Sequence, residues 1–112
     1  MGHHVFEVIE YTDERHRSPF AMWFDDLDAT SAAKITVALA RLAAGNTSNT
    51  KSVGDGVMEQ KVDFGPGYRV YFAWEGKRLV VLLGGGSKQR QQKDIANAVK
   101  RWTDYKARKT GR

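Results

Sequence analysis

Three short apolar runs separated by two glycine-containing turns constrain the fold of this chain more than any other feature. The runs span residues 57–63, 68–74 and 78–83, and the connections between them contain FGPG and EGK. Short connections with Gly and Pro favour tight turns between antiparallel strands. The third run is apolar at both alternating positions, which is typical of a central strand covered on both faces. The segment therefore predicts a three-stranded antiparallel sheet.

The residues before this sheet predict a strand and two short helices. Residues 5–11 alternate apolar and acidic side chains, which favours a strand. Pro19 suits the first turn of a helix that Ser18 caps. Asp28 is a candidate cap for the next helix, and Gly45 supplies its end. These two helices form a predicted helical hairpin.

The remaining segments predict a loop before the sheet and a helix after it. Residues 45–56 are rich in Gly, Asn, Ser and Thr and predict a loop. GGGSK, residues 84–88, ends the predicted sheet. Residues 89–106 have helical periodicity with a basic polar side, and residues 107–112 predict a basic, frayed tail. We therefore expect one α+β domain over residues 1–112, in the order β-α-α-β-β-β-α, with the helical hairpin packed on the antiparallel sheet.

The charge distribution predicts a polyanionic partner. The net charge is +5, yet residues 1–87 hold nine Lys and Arg against eleven Asp and Glu. Residues 88–112 hold nine basic residues against two acidic ones. This asymmetry favours a nucleic acid, or an acidic protein surface, at the basic end, although a solvated tail explains the charge equally simply.

The composition also bears on the compartment. No apolar run approaches the ~20 residues of a transmembrane helix, so no membrane partner is expected. The chain lacks cysteine, which removes disulfides and thiolate metal sites and is compatible with a reducing cytosol. A cytoplasmic location is the resulting expectation.

The first hairpin places two cations opposite each other. If its turn centres on Gly65, Lys61 pairs with Arg69 and Glu59 pairs with Tyr71. Like charges directly across a strand pair cost up to ~1 kcal/mol, so the pair is either fanned out into water or arranged to bind an anion such as phosphate.

More side chains extend this candidate site. Lys88 follows the third strand through a glycine run and can reach the same end of the sheet. The ring of Tyr71 is placed to stack on a base, and Lys93, Lys100 and Arg101 on the last helix are candidates for binding RNA.

The segment VGDGVMEQKVDFGPGYRVYFAWEGKRLVVLLGGGSKQRQQKDIANA resembles the phage-Gp49-like, HigB-type addiction module killer proteins of the RelE/ParE toxin superfamily. Three parts carry the resemblance: SVGDGVMEQKV, the hairpin FGPGYRVYF, and LLGGGSK running into Q…DI…A. A looser similarity extends through RLAAGN and the helical hairpin. The resemblance implies a compact toxin neutralised by a small helix-turn-helix antitoxin protein. It also implies cleavage of mRNA on the ribosome, by attack of a ribose 2′-OH on the adjacent phosphate, without a metal or another cofactor.

The resemblance assigns roles to individual residues. Arg69 matches the arginine that stabilises the transition state. Lys61 matches a basic residue that contacts the scissile phosphate or assists proton transfer, and Lys88 matches the basic residue after the last core strand. Glu59 stands near the place of a second lysine in RelE-like relatives, and Ile95 stands where they carry a tyrosine.

Glu59 has two readings. It is a candidate base toward the 2′-OH if it shares a face with Lys61, and the simpler alternative is an ion pair with Lys61. Two other functions also remain open: a ParE-like poison of DNA gyrase that acts through the last helix, and a non-catalytic or degenerate nucleic-acid-binding module.

Overall fold

The computed structural model of the protein describes residues 6–110 as an α+β fold, as the sequence predicts. Its elements are β1 (Glu7–Glu10), α1 (Pro19–Asp25), α2 (Ala29–Ala43), β2 (Thr50–Gly54), β3 (Val57–Val62), β4 (Tyr68–Glu75), β5 (Leu79–Ser87), a 3₁₀ turn (Lys88–Arg90) and α3 (Gln91–Thr110). Within residues 6–110, no helix combines the length and the hydrophobicity that a membrane-spanning segment requires.

The five strands form one sheet in the order β1-β5-β4-β3-β2. β1 runs parallel to β5, and the other neighbours are antiparallel. Helices cover both faces, which places an apolar cluster on each side of the sheet. One cluster includes Phe20 of α1 and Ile35 of α2, and the other includes Trp102 of α3. β5, which lies between β1 and β4, is apolar at every position from Val80 to Leu83 because it contributes side chains to both clusters.

The helix boundaries confirm the predicted caps. The Ser18 hydroxyl accepts a hydrogen bond from the backbone N–H of Ala21 at 3.0 Å, and the Asp28 carboxylate accepts one from Ser31 at 3.3 Å. These side chains satisfy backbone donors that have no partner inside the helix. Gly45 follows α2 with a φ of 100°, a conformation that favours glycine.

Three predictions about the elements are wrong: one strand is missed, and two elements end later than predicted. Within the predicted loop, Thr50–Gly54 form the edge strand β2, which pairs with β3. Because its side chains are mostly exposed, no alternating apolar pattern marks it. β5 does not end before the glycine run but continues through Ser87. α3 extends to Thr110, so most of the predicted tail is helical. Val5 of the predicted first strand and residues 111–112 lie outside the described part of the chain.

The glycine run in β5 exists because two helices press directly on the strand. A Cβ on Gly85 would collide with the indole of Trp23 in α1, and a Cβ on Gly86 would collide with the carboxylate of Asp94 in α3. A Cβ on Gly84 would likewise collide with the guanidinium of Arg101 in α3. The run therefore allows the helices to pack closely on β5.

Candidate functional site

The first hairpin has the predicted register. Lys61 pairs with Arg69, and Glu59 pairs with Tyr71, between β3 and β4. The alternate positions, which include Val70 and Phe72, pack against α1 and α2. Because successive side chains of a strand point to opposite faces, Lys61, Arg69, Glu59 and Tyr71 belong to the face that α3 covers.

Arg69 is almost enclosed at this end of the sheet. Its side chain is 8% exposed, and Nη1 donates a hydrogen bond to the backbone oxygen of Gly67 at 2.9 Å. Its Nε lies 3.7 Å from the Oε1 atom of Glu59. A Cβ on Gly67 would lie 3.2 Å from Nη1, so glycine at this position lets the turn close over the guanidinium. The arginine is therefore held in one orientation before any ligand arrives.

Glu59 is the buried counter-ion of Arg69. The residue is 2% exposed, and its Oε1 accepts a hydrogen bond of 2.6 Å from Nε2 of Gln91 in α3. Its Oε2 lies 4.0 Å from the ammonium of Lys51 on β2. Glu59 does share a face with Lys61, but its ion pairs in the described part of the chain are with Arg69 and Lys51. The alternative of an ion pair with Lys61 is therefore wrong.

Lys61 and Lys88 lie on either side of Arg69 at the same end of the sheet. Lys61 is its cross-strand neighbour on β3, and Gly86 is its neighbour on β5. Lys88 comes two residues later, and its Cβ lies 3.7 Å from the position that a Cβ on Gly67 would take. Both lysines are exposed, in contrast to Arg69. We call Lys61, Arg69 and Lys88 the cationic end of the sheet.

Tyr71 does not belong to the accessible site. It is 0% exposed and packs in the cluster with Ala98 and Trp102 of α3, so its ring cannot stack on a base. Burial, followed by the negative charges of Glu59 and Asp94, raises the pKa of its hydroxyl. The expectation of base stacking is wrong because the apolar stripe of α3 covers this face.

The three basic residues predicted on α3 differ in their surroundings. Arg101 donates from Nη1 to the backbone oxygen of Leu83 at 2.9 Å, and burial lowers the pKa of its guanidinium. This hydrogen bond connects α3 to β5. Lys93 and Lys100 are exposed. Lys93 also lines a shallow groove together with Lys88 and Arg90, so it extends the basic surface beside the cationic end.

Sequence reasoning missed a half-buried carboxylate beside this site. Asp94, in the first turn of α3, rests on Gly86, the residue that pairs with Arg69. Its Oδ2 is buried and has no hydrogen-bond partner among the described residues. Burial raises the pKa of Asp94, against the opposing effect of Arg90, Arg101 and Lys93. The glycine run was the available clue, because strand glycines mark close approach of other groups.

The described residues offer little to a metal ion. Within residues 6–110, no group of three or more acidic or histidine side chains is placed to hold one. The cationic end instead suits an anion, because its exposed ammonium groups and its fixed guanidinium all favour negative charge.

The architecture, with a helical pair on one face of a mixed five-stranded sheet and a C-terminal helix on the other, is compatible with a RelE-like fold. A model of the phage-derived Gp49-like protein family matches residues 22–103, a range that includes the whole cationic end. The chain belongs to this family, which is a RelE/HigB-like toxin family. It is also similar to an uncharacterised protein of Haemophilus influenzae, with 45% identity over 80 residues that cover 70% of this chain and 81% of that protein.

Proposed function

We propose that the protein is the toxin of a type II toxin–antitoxin system and acts as a ribosome-dependent mRNA endoribonuclease. The observation that carries the proposal is the enclosed Arg69, fixed by Gly67 and Glu59 and flanked by the exposed Lys61 and Lys88. Membership of a RelE/HigB-like toxin family supports the toxin–antitoxin setting. The proposed partners are the ribosome with its mRNA and a helix-turn-helix antitoxin, and the proposed compartment is the cytoplasm.

The proposed reaction is an internal phosphoryl transfer. The ribose 2′-OH loses its proton as its oxygen forms a bond to the adjacent phosphorus. The bond from phosphorus to the 5′-oxygen breaks, and that oxygen takes up a proton. The products are a 2′,3′-cyclic phosphate and a 5′-OH end. This chemistry needs charge stabilisation together with a proton acceptor and donor, and it needs no metal or other cofactor.

Each residue of the cationic end has a role in this scheme. Arg69 stabilises the negative charge that develops on the pentacoordinate phosphate, and its prior fixation avoids reorganisation at the moment of reaction. Lys61 and Lys88 bind the phosphate, and one of them protonates the 5′-oxygen. Glu59 is the candidate base, but Gln91 must move aside before its carboxylate reaches a ribose. In the closed arrangement Glu59 orients Arg69.

The test is expression of the parent chain and of Arg69 variants in a bacterial host. The parent should arrest growth and leave mRNA cuts positioned by the reading frame, mapped by primer extension. Arg69→Ala and Arg69→Lys should both abolish the cuts, because an ammonium cannot reproduce the planar grip of a guanidinium. Circular dichroism of the purified variants verifies that each is folded, and Lys77→Ala, at the exposed turn before β5, is the control.

Two results would contradict the proposal. Growth arrest by a folded Arg69→Lys variant equal to that of the parent would remove Arg69 from the site. Arrest with DNA damage and intact mRNA would instead assign the protein to the gyrase poisons.

A further inference from the structure

A groove of about 340 Å³ lies between α2 and the end of β3. We call it the α2 groove. It is bordered by the face of the sheet opposite to α3, so it is separate from Arg69, which lies on the face that α3 covers. Its lining includes Lys34, Arg41, Asn49, Gln60, Asp63 and Phe64. Lys61 also borders it, which places the groove next to the cationic end.

The α2 groove carries net positive charge at fixed positions. Lys34 and Arg41 are exposed and lie seven residues apart on α2, so both are on the same side of the helix. The ammonium of Lys34 lies 5.3 Å from the centroid of the Phe64 ring, a cation–π contact that restricts its position. Asp63 is the single carboxylate among the lining residues. Two cations on one helix side suit successive phosphates of a backbone.

Gln60 adds an unsatisfied hydrogen-bond acceptor to the groove. The residue is 5% exposed, and its Nε2 donates to the backbone oxygen of Lys61 at 3.2 Å. Its Oε1 is buried and has no partner among the described residues. Buried polar atoms normally find a partner, and an unpaired one is costly. A ligand that offers a hydrogen-bond donor would therefore be favoured at this position.

We propose that the α2 groove binds the sugar–phosphate backbone of single-stranded RNA, with phosphates at Lys34 and Arg41 and a ribose 2′-OH donating to Gln60. The 2′-OH distinguishes RNA from DNA, and it supplies the donor that Oε1 lacks. The inference rests on the proposed function in taking RNA as the ligand. The groove and the cationic end lie on opposite faces of the sheet and meet at Lys61 near the end of β3, so an RNA strand bound at the cationic end would pass around that end of β3 into the groove.

The test measures binding alone and requires no cleavage. Fluorescence anisotropy of labelled 12-nucleotide RNA and of DNA of the same sequence is recorded with the full chain over a range of salt concentrations. A gel confirms that the RNA stays intact. We expect RNA to bind more tightly than DNA. Lys34→Ala/Arg41→Ala should weaken RNA binding roughly tenfold and lower the log–log salt slope by about 1.4, or about 0.7 for each lost phosphate contact.

The matched control removes the same charge elsewhere. Lys77→Ala/Arg78→Ala changes two exposed residues in the turn between β4 and β5, at the opposite end of the sheet, and should leave the affinity nearly unchanged. Gln60→Leu should lower RNA affinity roughly fivefold while leaving DNA affinity and the salt slope alone, because it removes one hydrogen bond and no charge. If Gln60→Leu does not fold, the comparison of Lys34→Ala/Arg41→Ala with the control variant decides the test.

The outcomes separate this inference from the proposed function. Equal RNA affinity in the α2 and control variants, or equal affinity of the parent for RNA and DNA, would overturn the groove assignment. Unchanged RNA binding together with lost binding of a protein partner would make the groove a protein interface instead. If RNA does not bind in the groove but growth arrest and in-frame mRNA cuts persist, the groove assignment fails and the nuclease proposal remains valid. If RNA binds in the groove but no mRNA is cleaved, the groove assignment is supported and the nuclease proposal is rejected.

Discussion

At the scale of single residues, the environment of Arg69 is unusual for a charged side chain. Both it and Glu59 are nearly excluded from water, and their closest charged atoms are 3.7 Å apart. Removing one member of a buried pair leaves the other uncompensated, whereas removing both avoids that penalty. The same ion pair therefore affects both the stability of this end of the sheet and the orientation of Arg69, the proposed catalytic arginine.

This coupling is measurable in a double-mutant cycle. Glu59→Leu and Arg69→Met should each lower the free energy of unfolding by on the order of 3 kcal/mol, because each leaves the buried charge of the other residue without its counter-ion. The double variant should lose clearly less than the sum of the two. Urea unfolding of the four proteins gives the four values. Additive losses would mean that the two side chains do not interact.

Asp94 predicts a dependence of stability on pH. Burial raises its pKa in the folded protein above the ordinary 3.8. The folded state then holds the proton more tightly, so stability is lost as pH rises from the unfolded pKa through the raised folded value. Asp94→Asn removes this titration. The unfolding free energy of the variant relative to the parent should therefore grow between pH 3 and pH 7, and a constant difference would contradict the assignment.

At the scale of elements, β5 and the helices on its two faces act as one packed unit. Gly85 has no Cβ because the Trp23 ring of α1 occupies that space. Overpacking of this kind typically costs about 1–3 kcal/mol. Gly85→Ala should destabilise the protein within that range in thermal unfolding, and Gln92→Ala, at an exposed position of α3, should change little.

A second substitution identifies the cause. In Gly85→Ala/Trp23→Leu the smaller side chain of α1 makes room for the added methyl group. The combined loss should therefore be smaller than the sum of the two single losses. If the two losses simply add, the strain at Gly85 has another origin.

The last turns of α3 contact the sheet and are helical as far as Thr110, whereas the sequence predicts a frayed tail from residue 107. The Tyr105 hydroxyl donates to Glu75 at 2.6 Å, and burial together with this carboxylate raises its pKa to about 12. Lys109 also pairs with Glu75, and Arg108 donates to the backbone oxygen of Thr12 at 2.5 Å. Ending the chain after Tyr105 removes the contacts of Arg108 and Lys109 and should therefore lower the melting temperature slightly, because exposed ion pairs contribute little to stability. An unchanged melting temperature would show that these contacts contribute nothing.

At the scale of the whole molecule, the sequence predicts what depends on local pattern and misses what depends on a distant element. The register that pairs Lys61 with Arg69 follows from one turn and from strand alternation, and it is confirmed. The burial of Tyr71 depends on α3, which begins twenty residues later, so the hairpin sequence alone could not reveal it. The strand β2 was missed because an exposed edge strand needs no apolar alternation. Of the candidate site, the placement of the cations was predictable, whereas the enclosure of Arg69 by Gly67 and of Glu59 by Gln91 was not.

The parallel pairing of β1 with β5 determines when the sheet can be completed during translation. Glu7–Glu10 emerge from the ribosome long before Leu79–Leu82, their partners, exist. Lys88 and Gln91 follow later still, and non-local pairings of this kind form slowly. The cationic end therefore cannot assemble on a growing polypeptide until nearly all of the described fold has been translated. In a protein proposed to cut messages during translation, the nascent chain would therefore lack a complete site for most of its own synthesis.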